Sequence, residues 1–439
     1  MNYFTLKPPL SFLLIGLLAN LLFVFPALAK ENLVDIVEAN EPMSDDKAQK
    51  IFNLAMTERD SGKVYDAIEK FEYILSRRPS LNRARLELAV SYHRASQYDK
   101  ALSEFQTVLD DPKTPEKVRL AILAYLGQLT SDELKPQTEH SFSYYTKVGA
   151  LYNSNINFAP LRGTDTIPGG QDTASSGLDT FLSASHRYKD KKPFDAVGAA
   201  TNFEWQSQIS WTGNNYTRNS DFSLNIISAS TGPAFISTGR WNGAISLQVD
   251  QIYFGGSALG TFVSLNPLLA FDLGDYQGIT LELSYTDNNF SRPEDEGRDG
   301  SSVLAGAAYS TLLSGTNDGL ELGFRLTNQS ADDDQFGYKS TEIYFGGFMT
   351  FAKANNIYLN LNFEQYDYAA ADQLASTPPT VRDEIESRYI FGYNYNFSDG
   401  FLQGWTLDTH FSYTRNNSNI DFYNYERKIF AVNLARYFI

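Results

Sequence analysis

Four histidines are the chain's only imidazoles: His93, His140, His186 and His410 lie far apart in sequence, without the spacing of a metal-ligand set. His410 has the most suggestive neighbours. It alternates with Asp408 and Ser412, so on a strand the three would share a face and supply the residue types of an orienter, a base and a nucleophile. No Gly-x-Ser-x-Gly elbow accompanies them. A histidine in a polar network is the better reading, and no catalytic residue is assigned. The runs Asp332-Asp333-Asp334 and Glu294-Asp295-Glu296 could offer Ca²⁺ the oxygen ligands it prefers. Such runs are more often solvated loop tips, so no dedicated metal site and no cofactor are expected. Cysteine is absent, which removes disulfides, thiol catalysis and Cys-ligated zinc or iron–sulfur centres. A formal net charge of −16 argues against a nucleic-acid partner, since phosphate binding needs a basic face.

A larger set of charged residues recurs inside aromatic-rich segments, always on alternate positions. Glu282, Arg325, Glu342, Glu364, Arg388, Asp408 and His410, with Glu204 and Asp250, stand opposite in parity to apolar neighbours. Ile279, Leu281, Leu283 and Tyr285 alternate with Thr280, Glu282, Ser284 and Thr286. Leu320, Leu322, Phe324 and Leu326 alternate with Glu321, Gly323, Arg325 and Thr327, and Ile357 to Glu364 repeats the pattern. Segments of about 10 residues with this period, separated by turns, mark transmembrane barrel strands. A soluble sandwich would have to bury the charged face, and burying isolated ions is costly. The charged parity is therefore expected to face a wet lumen and the aromatic parity lipid.

Fourteen such strands are expected, at 141–152, 177–188, 197–211, 219–237, 242–254, 259–273, 278–291, 300–313, 318–331, 337–352, 357–369, 383–397, 404–417 and 422–438. Bacterial barrels have an even number. Gly232-Pro233 interrupts the fourth. Tight turns are expected at Thr238-Gly239, Gly274-Asp275, Ser314-Gly315, Asn355-Asn356 and Asp399-Gly400. The connections at 153–176, 292–299 and 370–382 are longer, and in this class the long loops are extracellular and the short turns periplasmic. Counting back puts the segment before the first strand in the periplasm.

Composition changes sharply near residue 140. From Lys47 to Lys135 the chain is rich in Ala, Leu, Glu, Lys and Arg; from Ser141 onward it is rich in Tyr, Phe, Asn, Ser, Thr and Gly. The first composition favours helix and the second strand. Leu54, Ala55, Ala67 and Phe71 recur as Leu88, Ala89, Ala101 and Phe105, each 34 positions later, which is the tetratricopeptide period. Small alanines at the helix crossings allow close approach, with Leu54 and Phe71 filling the space between. A further helix from about Pro115 to Leu129, carrying Ala121, Leu123 and Leu126, is expected to cap the array. Partner-binding candidates on the concave face are Gln49, Arg59, Arg83, His93 and Arg94, a mildly cationic set suited to an acidic segment or a C-terminal carboxylate.

The N-terminus reads as an export signal. Lys7 precedes an apolar stretch from Leu10 to Phe25, and Ala27-Leu28-Ala29 forms an A-x-A cleavage site, so 1–29 is expected to be a cleaved signal peptide. The fold class is thus multidomain α + β: a periplasmic α-helical tetratricopeptide solenoid at 46–136, then an antiparallel outer-membrane β-barrel of about fourteen strands at 141–439, in contact with outer-membrane lipid.

This order of parts resembles the surface lipoprotein assembly modifier family. The likeness is sharpest where the barrel opens: Gly149-Ala150-Leu151-Tyr152-Asn153-Ser154-Asn155-Ile156-Asn157 is similar to the family's Gly-x-x-Tyr-Asp-x-Asn-Val-Asn stretch. Pro160 follows as in the family, and Asn153 stands where an Asp is common. The resemblance implies that Gly149, Tyr152, Asn153, Asn155 and Asn157 form a family motif. It also implies a non-enzymatic role, assisting translocation of a lipoprotein or small secreted client to the cell surface. The repeat domain would receive the client or a periplasmic chaperone, and the barrel would form the passage. An exopolysaccharide exporter and a diffusion porin with an accessory periplasmic domain are the alternatives.

Overall fold

The structure, a computed structural model, describes residues 43–438 apart from 96, 112–113, 116–117, 121, 124–125, 127–138, 162–170, 191–192, 275, 314–317, 352–353 and 374–377. The expected signal peptide, Ala121 and the Ser314-Gly315 turn lie outside the described residues. The chain forms two compact units, one within 1–137, 192–202 and 237–239, the other within 138–191, 203–236 and 240–439.

The first unit is helical. Among its described residues are α1 (Asp45–Asp60), α2 (Val64–Arg77), α3 (Asn82–Arg94) and α4 (Tyr98–Asp110). Ser44 caps α1 by accepting from the Lys47 amide, with Asp45 and Asp46 in the first turn, where carboxylates suit the helix dipole. Gly62, at φ +86°, makes the turn into α2, and a side chain there would strike the Thr238 carbonyl. The 34-residue equivalences hold in the packing. Ala55 and Ala89, Ala67 and Ala101, and Phe71 and Phe105 are all fully buried. Phe52 meets the Phe71 ring edge-on at 5.6 Å between centroids. Leu54 departs from the expectation: it is 40% exposed while Leu88 is buried, so the interhelical space is filled by Ile51, Phe52 and Phe71 instead. Helical backbone continues at 118–120 and 122–123; Ile122 joins the core with Val118 and Leu126 against it, whereas Leu123 faces outward.

Tyr92 and Glu58 occupy equivalent places 34 residues apart. Tyr92 donates its hydroxyl to Glu72. Glu58 Oε1 lies 2.8 Å from Lys70 Nζ, while its buried Oε2 has no partner among the described residues. Burial pushes the Glu58 carboxyl above its ordinary value, against the pull of Lys70.

The second unit is a sheet closed on itself. Its long strands are β1 (His140–Asn153), β2 (Ser175–Lys189), β4 (Ala199–Tyr216), β5 (Leu224–Ser237), β6 (Trp241–Phe254), β7 (Ser257–Gly274) and β8 (Gln277–Phe290). They continue as β9 (Gly300–Leu312), β10 (Gly319–Ala331), β11 (Tyr338–Phe351), β12 (Asn355–Asp372), β13 (Thr380–Asn396), β14 (Trp405–Ser418) and β15 (Tyr425–Phe438). A three-residue strand, β3 (Phe194–Ala196), folds back on the start of β4. Consecutive long strands pair antiparallel, β2 pairs with β4, and β1 pairs with β15 from Tyr144↔Phe438 to Asn153↔Ile429. The ring therefore has fourteen long strands and is closed.

Alternation sorts the faces as expected. Leu320, Leu322, Phe324 and Leu326 are each 40–55% exposed on one side of β10, while Arg325 on the other side is paired with carboxylates. Exposed apolar side chains recur around the ring on that same outer parity, a surface unsuited to water and suited to hydrocarbon. The unit is an outer-membrane β-barrel.

Boundaries shift where turn chemistry overrides the period. Residues 219–223 are not strand: Asn219 adopts a left-handed conformation and Ser220–Phe222 form a 3₁₀ turn. Asn355 and Asn356 pair with Phe351 and Thr350 inside the ladder, so the turn falls before them. Gly232-Pro233 interrupts pairing in β5 without changing its register, since Thr231↔Leu247 and Ala234↔Ala244 remain in step. At the end carrying the β1–β2 connection, 3₁₀ turns also occur at Pro293–Arg298, Asp334–Phe336 and Asp421–Tyr423. Neighbouring connections there are tied together: Asp333 N–H donates to Gly297 O at 2.9 Å and Ala369 N–H to Gly337 O at 2.9 Å.

Replacing Phe71 with Ala should lower the stability of the helical unit by about 3–5 kcal/mol, read as an earlier loss of helical circular dichroism on denaturation; an unshifted midpoint would contradict the packing described. Because folded Glu58 holds its proton more tightly than the unfolded chain does, it favours folding at acid pH. Its contribution falls as pH rises from the ordinary carboxylate range through the raised folded value. Glu58→Gln should flatten that slope in denaturation series between about pH 4 and 7, whatever it does to absolute stability.

Candidate functional site

Cross-strand register assembles the lumen. Glu282 on β8 stands opposite Gly306, which stands opposite Arg325. Arg325 faces Glu342, Glu342 faces Glu364, and Glu364 faces Glu386. One row of inward side chains thus crosses β8 to β13. Like charges directly opposite destabilise a ladder, and here each carboxylate has donors. Arg325 Nε lies 2.6 Å from Glu282 Oε1 and its Nη1 3.1 Å from Glu342 Oε2. Asn362 Nδ2 donates to Glu342 at 2.6 Å. Ser340 Oγ and Tyr366 OH donate to Glu364 at 2.6 and 2.7 Å. Glu386 takes Arg388 Nη2 at 2.7 Å and Tyr425 OH at 2.6 Å. Charge-assisted bonds of this kind are shorter and stronger than neutral ones. The Arg325 guanidinium also lies over the Tyr344 ring, 4.5 Å from its centroid.

This row borders a cavity of about 1070 Å³ whose lining includes Glu282, Arg325, Glu342 and Glu364. Its lining also includes Arg187 and the hydroxyl and amide side chains of Ser230, Ser246, Gln248, Ser264, Asn266 and Ser284. A second inward cluster sits beside the β1–β15 seam: Lys147 Nζ lies 3.0 Å from Asp179 Oδ2, to which Asn433 Nδ2 donates at 2.9 Å. Asp408 and His410 pair at 3.3 Å between Oδ1 and Nδ1. No hydrogen bond joins His410 to Ser412 among the described residues, so the nucleophile–base contact of a hydrolase is not formed there.

The segment after β1 turns inward. Asn153 Nδ2 donates to Tyr216 OH at 2.7 Å, and its Oδ1 accepts the Asn155 amide at 3.1 Å. Asn155 Oδ1 accepts the Ala159 amide at 2.9 Å, while its Nδ2 donates to Ala159 O at 3.1 Å and Glu426 O at 3.0 Å. Asn157 Nδ2 donates to Gln171 O and its Oδ1 accepts from the Thr173 amide, both at 3.0 Å. Each amide replaces a backbone partner that a regular ladder would supply, as asparagine does in turns. Asn153, Asn155 and Ile156 are 2–3% exposed. Gly149 lies under the seam, where a side chain would meet the Val432 carbonyl and Asn433. Tyr152 is 46% exposed on the apolar face, apart from its inward neighbours.

In the helical unit the cationic candidates divide. Gln49 is exposed and bonded to Asn53. Arg59 is buried, its guanidinium held by Glu87 and Asp60. Arg83 is exposed with its guanidinium over Phe52 at 4.8 Å, Arg94 is exposed and reaches the Arg59 carbonyl, and His93 leans on Tyr98 with centroids 5.8 Å apart. Acidic run 294–296 lies in the 3₁₀ turn Pro293–Arg298, with Asp295 paired to Arg298 at 3.4 Å, whereas of 332–334 only Asp334 enters a 3₁₀ turn, which Asp333 caps by accepting the Gln335 amide. Among the described residues no three His, Asp or Glu side chains converge as metal ligands. Reading parity alone missed Glu386, Tyr425, Asp179, Lys147 and Asn433, because their partnerships depend on which residue of the next strand stands opposite. It also missed that His140 and His186 meet.

No family model matches the chain. Over 137 residues it is 24% identical to a surface lipoprotein assembly modifier of Pasteurella multocida (strain Pm70), covering 30% of this chain and 25% of that protein. The chain is similar to the surface lipoprotein assembly modifiers. The matched stretch spans a quarter of that relative's length. The fold is in keeping with it, joining an N-terminal helical region to a closed fourteen-strand barrel. Solved structures that align with the chain include OccAB4 of Acinetobacter baumannii, at 10% identity, 70% of this chain, 100% of that chain and a TM-score of 0.34. OpdK of Pseudomonas aeruginosa aligns at 11% identity, 68% and 98% coverage, with a TM-score of 0.33.

Asn155→Ala removes three hydrogen bonds that hold 154–161, each worth about 0.5–1.5 kcal/mol. Amide exchange across this segment should accelerate at least tenfold while exchange in β8 to β13 stays unchanged; equal protection in the variant would mean the asparagine is not the anchor.

Proposed function

We propose that this protein assists the translocation of a lipoprotein or a small secreted protein to the cell surface. The observation that carries the reading is the similarity to a surface lipoprotein assembly modifier, in a chain that joins a helical region to a barrel with a polar lumen. In this reading the helical unit is a periplasmic tetratricopeptide domain that receives the client or a periplasmic chaperone. Gln49, Arg83, His93 and Arg94 lie on its receiving surface, and buried Arg59 positions the turn beneath them. The barrel forms the passage, its apolar face in outer-membrane lipid and its lumen lined by Glu282, Arg325, Glu342, Glu364, Arg388, Asp408 and His410. The asparagine-anchored segment from Asn153 to Asn157 narrows that passage beside the seam. No bond-making step is required of any of these residues.

Deleting residues 30–139 should abolish the protease-accessible display of a lipoprotein encoded beside this protein, while the barrel still inserts. Unchanged display would count decisively against the proposal. The same strains separate the rivals: loss of capsule or matrix polysaccharide with display intact would favour an exporter. A large, constitutively open conductance of the purified protein in planar bilayers would favour a diffusion porin.

A further inference from the structure

Three arginines of β13 and β15 share the inward parity toward the end that carries the β1–β2 connection. Arg382 lies 3.6 Å from Glu384, and Arg388 lies 2.7 Å from Glu386. Arg427 is different. It stands opposite Thr414, which stands opposite Arg388, yet among the described residues no carboxylate pairs with it. Glu386 is already taken, by Arg388 and by the Tyr425 hydroxyl. Arg427 is half-buried, and its Nε is buried without a hydrogen-bond partner. What the guanidinium does meet is a ring: it lies over Phe158, 4.5 Å from the centroid. Phe158 also meets Tyr425 edge-on at 5.2 Å, and it belongs to the inward segment that the asparagines anchor. Its backbone is left-handed, at φ +51°, a conformation that is costly for a residue with a Cβ. Its side chain is 44% exposed, so water reaches the ring that covers the cation.

We propose that Arg427 receives carboxylates of an acidic polypeptide segment in the lumen, and that Phe158 is the lid of this site. Leaving a half-buried cation without an anion is unfavourable, and a cation–π contact recovers only part of what a charge-assisted hydrogen bond supplies. The guanidinium is a planar fork that matches a carboxylate bidentately, and its terminal nitrogens have no hydrogen-bond partner among the described residues. Binding exchanges one ring contact for two N–H···O bonds. Both groups are already ionised at neutral pH, so no proton moves. Once displaced, Phe158 is free to leave the left-handed region, and the strain released there favours entry of the anion. Carboxylates along β8 to β13 repel an acidic segment, which directs it toward β15. The choice of a polypeptide as ligand rests on the reading that the barrel passes a protein; the anion site and its lid rest on the contacts of Arg427 and Phe158.

The test uses the full chain in detergent at low salt, carrying Arg83→Gln and Arg94→Gln so that the cationic surface of the helical unit does not compete. It is titrated with a hexaglutamate peptide, and with hexalysine as the control, and followed by calorimetry and by amide exchange. Hexaglutamate should bind and hexalysine should not bind at this site, with exchange across 154–161 accelerating as the lid is displaced. Arg427→Gln should weaken hexaglutamate binding by about tenfold or more and abolish the change in exchange. Phe158→Ala removes the competing ring and should tighten binding by about two- to fivefold. Arg415→Gln, on the outward parity, should leave binding unchanged. Heat-modifiable electrophoretic mobility shows that each variant still closes its barrel. Failure of hexaglutamate to bind would overturn the proposal, as would binding that survives Arg427→Gln or ignores Phe158→Ala. Displacement of the peptide by an equal concentration of inorganic phosphate would overturn the assignment to a polypeptide carboxylate. Surface display is not part of the readout, so a negative result here and a failure of the translocation reading are told apart.

Discussion

Hydrocarbon offers no hydrogen bonds, so every backbone N–H and C=O at membrane depth must find its partner within the sheet. Here that requirement converges on one seam. The last strand of the chain returns to the first, and ten residue pairs from Tyr144↔Phe438 to Asn153↔Ile429 close the ring. Leaving it open would expose two unpaired edges to lipid, at several kcal/mol for each unsatisfied group. Gly149 serves this closure directly, because the strands pass too close there for any side chain. The asparagines that follow continue the service beyond the ladder, with Asn155 supplying a bond to Glu426 O where β-pairing has ended.

Closure defines an inside, and the inside allows a composition that no soluble core could hold. Four carboxylates in one register row would repel in a dry interior. In the lumen each is met by a guanidinium, an amide or a hydroxyl. Small residues make room for this: Glu282 folds over Gly306, Tyr344 over Gly323 and Tyr358 over Gly392. Large polar side chains therefore lie along the wall instead of across the passage. The result is a lumen in which the charged row on β8 to β12 shares one cavity with serines and amides on β5 to β7.

The helical unit solves its own burial problem in water. Alanines at Ala55, Ala67, Ala89 and Ala101 let helices approach, and Phe71 and Phe105 fill the gaps between them. The two copies differ at one instructive place. Where the second has Tyr92 donating to Glu72, the first has Glu58 held to Lys70. The second copy satisfies this slot with a neutral hydroxyl, while the first leaves a carboxylate oxygen without a partner, which is why burial raises the Glu58 carboxyl.

Periodicity made much of this legible in advance. A spacing of 34 located Ala55, Ala67 and Phe71 with their second copies, and strict alternation found all fourteen long strands, because both patterns follow from which side of an element meets which solvent. What alternation lacks is register. Parity placed Glu364 inside, and only strand pairing set Glu386 opposite it with Tyr425 in reach. Spacing likewise gave no hint of His140 beside His186, or of Arg59 turned from the surface into a buried pair. Solvent preference is a property of each residue in turn and can be read along the chain. Partnership across strands or helices is decided by how the ring closes and the helices cross, and it exists only in the folded structure.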